Sequence, residues 1–168
     1  MSTENLRKEE AVAKLKELVD MIDIGMLCTF PRGEDYPYAV PMSRQEVDEE
    51  GNIWYLFSAM SSTFEHLQQN NKVSVQFAHL GDYNFLSVNG QAEISADQAR
   101  IDRYWNKMMD AWFENGREDA AIRLLKVSPL EAKYWDNKTN KLVTVFKVAL
   151  SAISGKDLDI GREGNLVF

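Results

Sequence analysis

Four hydroxyl side chains gather in one short stretch: Ser58, then Ser61, Ser62 and Thr63. They fall where a β-prone run, Ile53-Trp54-Tyr55-Leu56-Phe57, gives way to a helical pattern from Thr63 to Asn70. A helix N-terminus offers free N–H groups and a partial positive charge, so hydroxyls placed there suit an anion such as a phosphate. The same residues also read as plain helix capping, because Ser62 with Glu65 three positions on forms a capping box. Spacing alone leaves both readings open.

A second feature is the aromatic-rich stretch from Tyr104 to Asp136, with Tyr104-Trp105, Trp112-Phe113 and Tyr134-Trp135 as pairs and Gly116 and Asp119 between the last two. It holds three of the four tryptophans of the chain. Tryptophan is large, and its N–H needs a partner when buried. Such clustering points to a surface that holds something flat, to a dimer seam, or to ordinary core packing.

Other chemistry lacks its residues. His66 and His79 are the only histidines, are not at metal-ligand spacing, and read as surface or cap residues. There is no G-x-S-x-G, P-loop or G-x-G-x-x-G pattern. Asp48, Glu49 and Glu50 sit in a polar turn, where a solvated face is expected. No general base stands out, which gives hydrolase and transferase readings little support. Cys28, the only cysteine, lies in the apolar run Gly25 to Phe30 and reads as a buried, inert thiol. A single thiol makes no internal disulfide and fits a reducing compartment.

The chain has 168 residues, 45% of them hydrophobic and 11% aromatic, enough for one domain with a real core. Its net charge of -7 and isoelectric point of about 4.9 argue against nucleic acid and against anionic membrane surfaces. The first residues are charged and helical rather than signal-like, and no run has the ~18 apolar residues of a membrane span. The expected location is cytoplasmic.

These residues must be positioned by a mainly β architecture. The pattern predicts a helix over about Glu4 to Asp20, where Val12, Leu15, Val19 and Ile22 recur at helical spacing. Strands are expected at Ile24–Phe30, Tyr36–Ser43, Ile53–Phe57, Lys72–His79, Asn84–Ile94 and Val127–Trp135. Pro37 and Pro41 confine the second of these to an edge, bulge or strand end. Gly90 marks a bulge or a close backbone approach. Further helices are expected from Ser95 and Asp97 through Met109, over Asp119–Leu125, and over Lys141–Ile153, the last also compatible with a strand. The polar, Gly-containing end from Gly155 reads as loosely attached. Short connections imply a mostly antiparallel sheet, and about six strands with peripheral helices imply a small barrel in an α+β setting.

Several segments carry a family resemblance: Val40-Pro41-Met42, then Gly51 to Leu56 running into Ser61, and Phe85-Leu86-Ser87-Val88-Asn89-Gly90-Gln91-Ala92. More specific in combination are Trp105, Ala111-Trp112-Phe113 with Gly116 and Asp119, and Ala132-Lys133-Tyr134-Trp135-Asp136. Over roughly Glu4 to Gly155 the chain resembles the pyridoxamine-phosphate-oxidase-like FMN-binding split barrels, in particular their general stress protein branch. The resemblance implies an α+β, mainly β, six-stranded antiparallel split barrel over residues 1–155, a tail over 156–168, and a homodimer with FMN at the subunit interface. It implies that Pro41, Met42 and Ser43 line the flavin through backbone groups, that Ser58, Ser61, Ser62 and Thr63 hold the ribityl phosphate, and that Trp112, Phe113 and Trp135 lie near the ring or in the dimer seam.

The chain also departs from the family pattern. Val40 stands where relatives often carry Arg, and Ala59, Ser62 and Thr63 occupy the phosphate segment where relatives often carry Lys or another basic residue. This predicts weaker FMN binding, or a cation recruited from elsewhere, with Arg44 and Lys72 as candidates. The expected function is an FMN-binding stress or redox protein, with flavin-dependent oxidoreduction of an unspecified substrate as its chemistry. The alternative is a non-catalytic module that holds a flavin, another flat ligand or none. Replacing Ser61 and Thr63 with Ala is expected to weaken FMN binding more than folding.

Overall fold

The computed structural model describes residues 2–113, 115–137 and 161–168. Two short strands, β1 (Ser2–Thr3) and β2 (Leu6–Arg7), precede helix α1 (Glu9–Asp20). Then come β3 (Ile24–Thr29), β4 (Tyr38–Val47), β5 (Ile53–Ser58), helix α2 (Ser62–Gln69), β6 (Lys72–His79) and β7 (Asn84–Ser95). Helix α3 (Gln98–Tyr104) and two 3-10 turns lead into the long β8 (Ile122–Asn137), and β9 (Gly161–Val167) closes the described chain.

The sheet runs β8-β5-β4-β3-β6-β7, and β7 pairs back onto β8. The result is a closed six-stranded barrel in which every pairing is antiparallel. The alternation read in the sequence explains it: Val73, Val75 and Phe77 of β6 and Leu86 and Val88 of β7 point into the barrel core. Helix α1 adds Leu15, Leu18 and Val19 to the same core. A second, smaller cluster lies outside the barrel wall, where Leu56, Ile122 and Leu124 meet Ile101, Tyr104 and Phe113.

The prolines and Gly90 sit where the rules place them. Pro41 lies in the stretch of β4 that, among the described residues, pairs with β3 alone. Gly90 faces Pro129 at a register shift between β7 and β8, and a Cβ there would lie 2.4 Å from the Ser128 carbonyl oxygen.

Five expectations are corrected. The first helix starts at Glu9, because Leu6–Arg7 pairs with β9 and Lys8 breaks the helical path with φ 52°. The cap of α2 is Ser61, one residue earlier than the capping-box pattern indicated. The helix opened by Asp97 ends at Tyr104, and Lys107–Ala111 forms a 3-10 turn. No helix spans Asp119–Leu125: β8 begins at Ile122, and its Leu124-Leu125 pair is buried on both faces, a pattern that periodicity does not tell from a helix. Residues Gly161–Val167 are a sheet strand, antiparallel to β8 and parallel to β1 and β2, with Leu166 fully buried. The predicted helix Lys141–Ile153 lies outside the described residues.

Candidate functional site

Strands β4 and β5 part company halfway along. They pair from Arg44 and Tyr55 to Val47 and Ile53. Beyond that point, among the described residues, Tyr38–Ser43 keeps only β3 as a partner, and Leu56–Ser58 keeps only β8. Two strand edges therefore face a slit in the barrel wall. Such an edge presents N–H and C=O groups with no ladder partner, ready for a ligand's polar rim. Pro41, Met42 and Ser43 lie on one wall. Met42 packs against the barrel core, while Pro41 and Ser43 face outward.

Ser58 ends the other wall, and its Oγ accepts the Met60 N–H at 3.1 Å. Ser61 Oγ donates to the Ser58 carbonyl at 2.7 Å and accepts from the Phe64 N–H at 3.3 Å. Its hydroxyl proton and its cap are thus both occupied. Ser62 is exposed on the first turn, and Thr63 is buried at 4% exposure. The first-turn amides of Ser62 and Thr63 have no intrahelical acceptor, as at any helix start. Near the end of the slit His66 approaches Thr29 Oγ1 through Nδ1 at 3.0 Å, and its ring meets that of Tyr38. The structure thus places Pro41–Ser43 on the edge of β4 where it parts from β5, and Ser58–Thr63 at the end of β5 and the start of α2.

Comparison with known proteins matches this chain over residues 10–159 to the model of a family described as pyridoxamine 5'-phosphate oxidase like. The chain belongs to that family. A candidate general stress protein 26 from Jannaschia sp. CCS1 shares the fold, with a TM-score of 0.76 at 23% identity over 93% of this chain and 99% of that one. So does the general stress protein 26 from Bacillus anthracis str. Sterne, with a TM-score of 0.64 at 22% identity over 73% and 92%. A general stress FMN/FAD binding protein from Xanthomonas citri is 28% identical, with a TM-score of 0.63 over 77% and 90%. No curated protein matches the chain.

For this pyridoxamine 5'-phosphate oxidase like chain, neither proposed substitute cation stands at the hydroxyl segment. Arg44 Nε donates to the Val19 carbonyl at 2.9 Å and its guanidinium lies 3.5 Å from Asp20, so it closes the C-terminal end of α1. Lys72 follows the C-cap Asn70 and so lies at the far end of α2.

The aromatic residues divide. Phe113 is buried in the outer cluster, its ring 5.7 Å from that of Trp105. Trp112 is 80% exposed. Trp135 is half-buried on β8, opposite Phe85 and Glu163, with Lys133 Nζ 5.1 Å from its ring centre. Ring contacts among the described residues join neither Trp112 nor Phe113 to Trp135. The fourth tryptophan, Trp54, is structural: its indole N–H donates to Asp48 Oδ2 at 2.8 Å and Arg100 stacks on it at 3.8 Å. Cys28 is half-buried rather than fully buried, and burial pushes its thiol pKa up, which makes it a poor nucleophile. Among the described residues, no three His, Cys, Asp or Glu side chains gather as a metal site, and no helix is long and apolar enough to cross a membrane.

Proposed function

We propose that this chain is an FMN-binding protein of stress or redox physiology, working as a homodimer with the flavin at the subunit interface. The observation that carries the reading is the slit itself, with a strand edge at Tyr38–Ser43 on one lip and the Ser58 and Ser62 hydroxyls with the free amides of Ser62 and Thr63 on the other. A flavin is flat and largely apolar, with a polar rim and a phosphate, and that donor set fits it. The Xanthomonas citri relative, named for FMN/FAD binding, supports the same ligand. In this assignment Pro41, Met42 and Ser43 border the ring, and Ser58, Ser62 and the amides of Ser62 and Thr63 hold the phosphate. When bound, the flavin would supply hydride or electron transfer.

The dimer is supported by the outer face of β3 and β4. Ile24 (59% exposed) lies opposite Ser43, and Met26 (42% exposed) lies opposite Pro41. An exposed apolar strip beside a ligand slit is the kind of surface a second subunit covers. The neutral Ser62 and Thr63 favour a second reading, a flavin carrier without turnover.

The test is a titration of the apo protein with FMN, followed by light scattering and by addition of a nicotinamide donor. Yellow colour that bleaches with the donor supports an oxidoreductase, and colour that persists supports a carrier. Met26→Asp should give a monomer that has lost flavin. A wild-type protein that stays colourless with excess FMN rejects the flavin reading.

A further inference from the structure

The register between β5 and β8 carries one residue to the phosphate end of the slit that no motif singles out. Phe57 lies opposite Arg123, and Ser58 opposite Ile122. Directly opposed residues of an antiparallel pair project to the same face. The Phe57 ring packs on Phe64 in the first turn of α2, 6.2 Å between centroids. Arg123 therefore shares the core-side face of Phe57, at the barrel end where α2 begins, while Ser58 projects to the other face with Ile122. Its Nη1 donates to the Ala120 carbonyl at 2.9 Å and to the Ile122 carbonyl at 2.7 Å. The carbonyl between those two, that of Ala121, accepts the Ala59 N–H at 2.7 Å. The guanidinium is thus pinned to a turn that is itself bonded to the Ser58–Thr63 segment. Among the described residues no carboxylate pairs with it, and both polar contacts use Nη1 alone.

The charge balance of the slit needs such a group. An FMN phosphate carries close to two negative charges at neutral pH, as other phosphomonoesters do. Ser62, Thr63 and the helix amides offer only neutral donors, the Ser61 hydroxyl is occupied, and Arg44 and Lys72 are placed elsewhere. A guanidinium with Nε and Nη2 to spare matches a phosphate in shape and charge, and charge-assisted bonds are about twice as strong as neutral ones. We infer that Arg123 is the cation that holds the flavin phosphate in this chain and sets its preference for FMN over riboflavin. The inference rests on the flavin reading above and names a binding residue within it.

Fluorescence titration of the apo protein with FMN and with riboflavin tests it. Wild type should bind FMN more tightly than riboflavin. Arg123→Gln should weaken FMN roughly tenfold or more and leave riboflavin unchanged, which removes the preference. Arg123→Lys should fall between. Adding Ser62→Lys to Arg123→Gln should restore the preference, a rescue that a merely structural arginine would not show. If Arg123→Gln does not fold, the salt dependence of wild type decides: FMN affinity should fall with added salt while riboflavin affinity holds. A preference unchanged in Arg123→Gln, or FMN binding indifferent to salt, overturns the assignment while leaving the flavin reading in place. A wild type that binds neither flavin overturns both.

Discussion

The His66 ring stands edge-on to the Tyr38 ring, with centroids 5.0 Å apart and 81° between the planes. Behind the pair, Thr29 Oγ1 lies 3.0 Å from His66 Nδ1 and donates to the Tyr38 carbonyl at 3.4 Å. Helix α2 is therefore fastened to the stretch of β4 that has parted from β5 by a hydroxyl that is fully buried. The fastening sets the spacing between the two lips of the slit, because Tyr38 begins one wall and α2 follows directly from the other.

Thr29→Val keeps the shape and removes both the 3.0 Å contact to His66 and the longer one to the Tyr38 carbonyl. It should cost about 1–2 kcal/mol of stability, the net worth of one good and one long hydrogen bond. Amide exchange should quicken in α2 well before it does in β6. Urea unfolding with hydrogen exchange checks both, and uniform exchange across the barrel would show that α2 is held by its apolar face alone.

Ser61 and Ser62 should behave oppositely. Ser61 caps α2, so Ser61→Ala should cost about 1 kcal/mol of stability. Ser62 is exposed, so Ser62→Ala should stay within about 0.5 kcal/mol and act on FMN affinity instead. This redistributes the sequence-based expectation, which assigned the ligand effect to Ser61 and Thr63. Chemical denaturation beside an FMN titration separates the two residues.

Much of the barrel was legible because its strands obey local rules. Lys72–His79 alternates cleanly, Pro41 marks a strand edge and Gly90 a bulge, and each rule refers to the residue's own neighbourhood. The misses have long-range causes. Leu124 faces the outer cluster and Leu125 the barrel core, so the start of β8 lacks the one-sided alternation that identifies a strand. Strand β9 looked like a tail because what holds it is distant in sequence: Arg162 binds Asp136, and Gly164 leaves room for the Glu4 carbonyl, where a Cβ would sit 1.6 Å away. At the site, the hydroxyl segment was visible, but the division of labour within it turns on a one-residue shift of the cap. Arg123 was missed because its position follows from cross-strand register. The available signal was a lone cation in the run Ile122 to Leu125.

Asp136 is the buried hub that joins the chain ends to the barrel. Lys14 Nζ lies 2.5 Å from it, and Arg162 grips it through Nε at 2.9 Å and Nη2 at 2.7 Å. Burial pushes its pKa up, but hydrogen bonds and charge from Arg162 and Lys14 outweigh that and hold it below the ordinary carboxylate value. A depressed native pKa adds stability that is complete above the unfolded value of about 3.9 and is lost as pH falls through the native one. Stability should therefore be level near neutral pH and decline below about pH 4. Asp136→Asn should lose about 3 kcal/mol at pH 7, because Lys14 is left buried without this partner. It should also lack that part of the acid decline. Unfolding curves at a series of pH values measure both effects, and an acid decline of undiminished depth in Asp136→Asn would place its origin in other carboxylates.

Trp112 and Phe113 are chain neighbours with opposite surroundings, which makes them a paired test of what the aromatic segment does. Phe113 fills the outer cluster beside Trp105, so Phe113→Ala should cost about 3–5 kcal/mol. Trp112 follows the 3-10 turn Lys107–Ala111, its backbone N–H bonded to the Met109 carbonyl at 2.9 Å, and its indole is left open to solvent. Trp112→Ala should leave stability within about 0.5 kcal/mol. If the indole flanks the flavin in the dimer, the same change should lower FMN affinity about tenfold, within the range reported for aromatic contacts. The part of tryptophan emission that FMN quenches should then shrink in the variant. An unchanged FMN affinity in Trp112→Ala would remove this residue from the flavin wall and assign its exposed indole to the proposed dimer seam instead, in which case light scattering on the same variant would show a shift toward monomer.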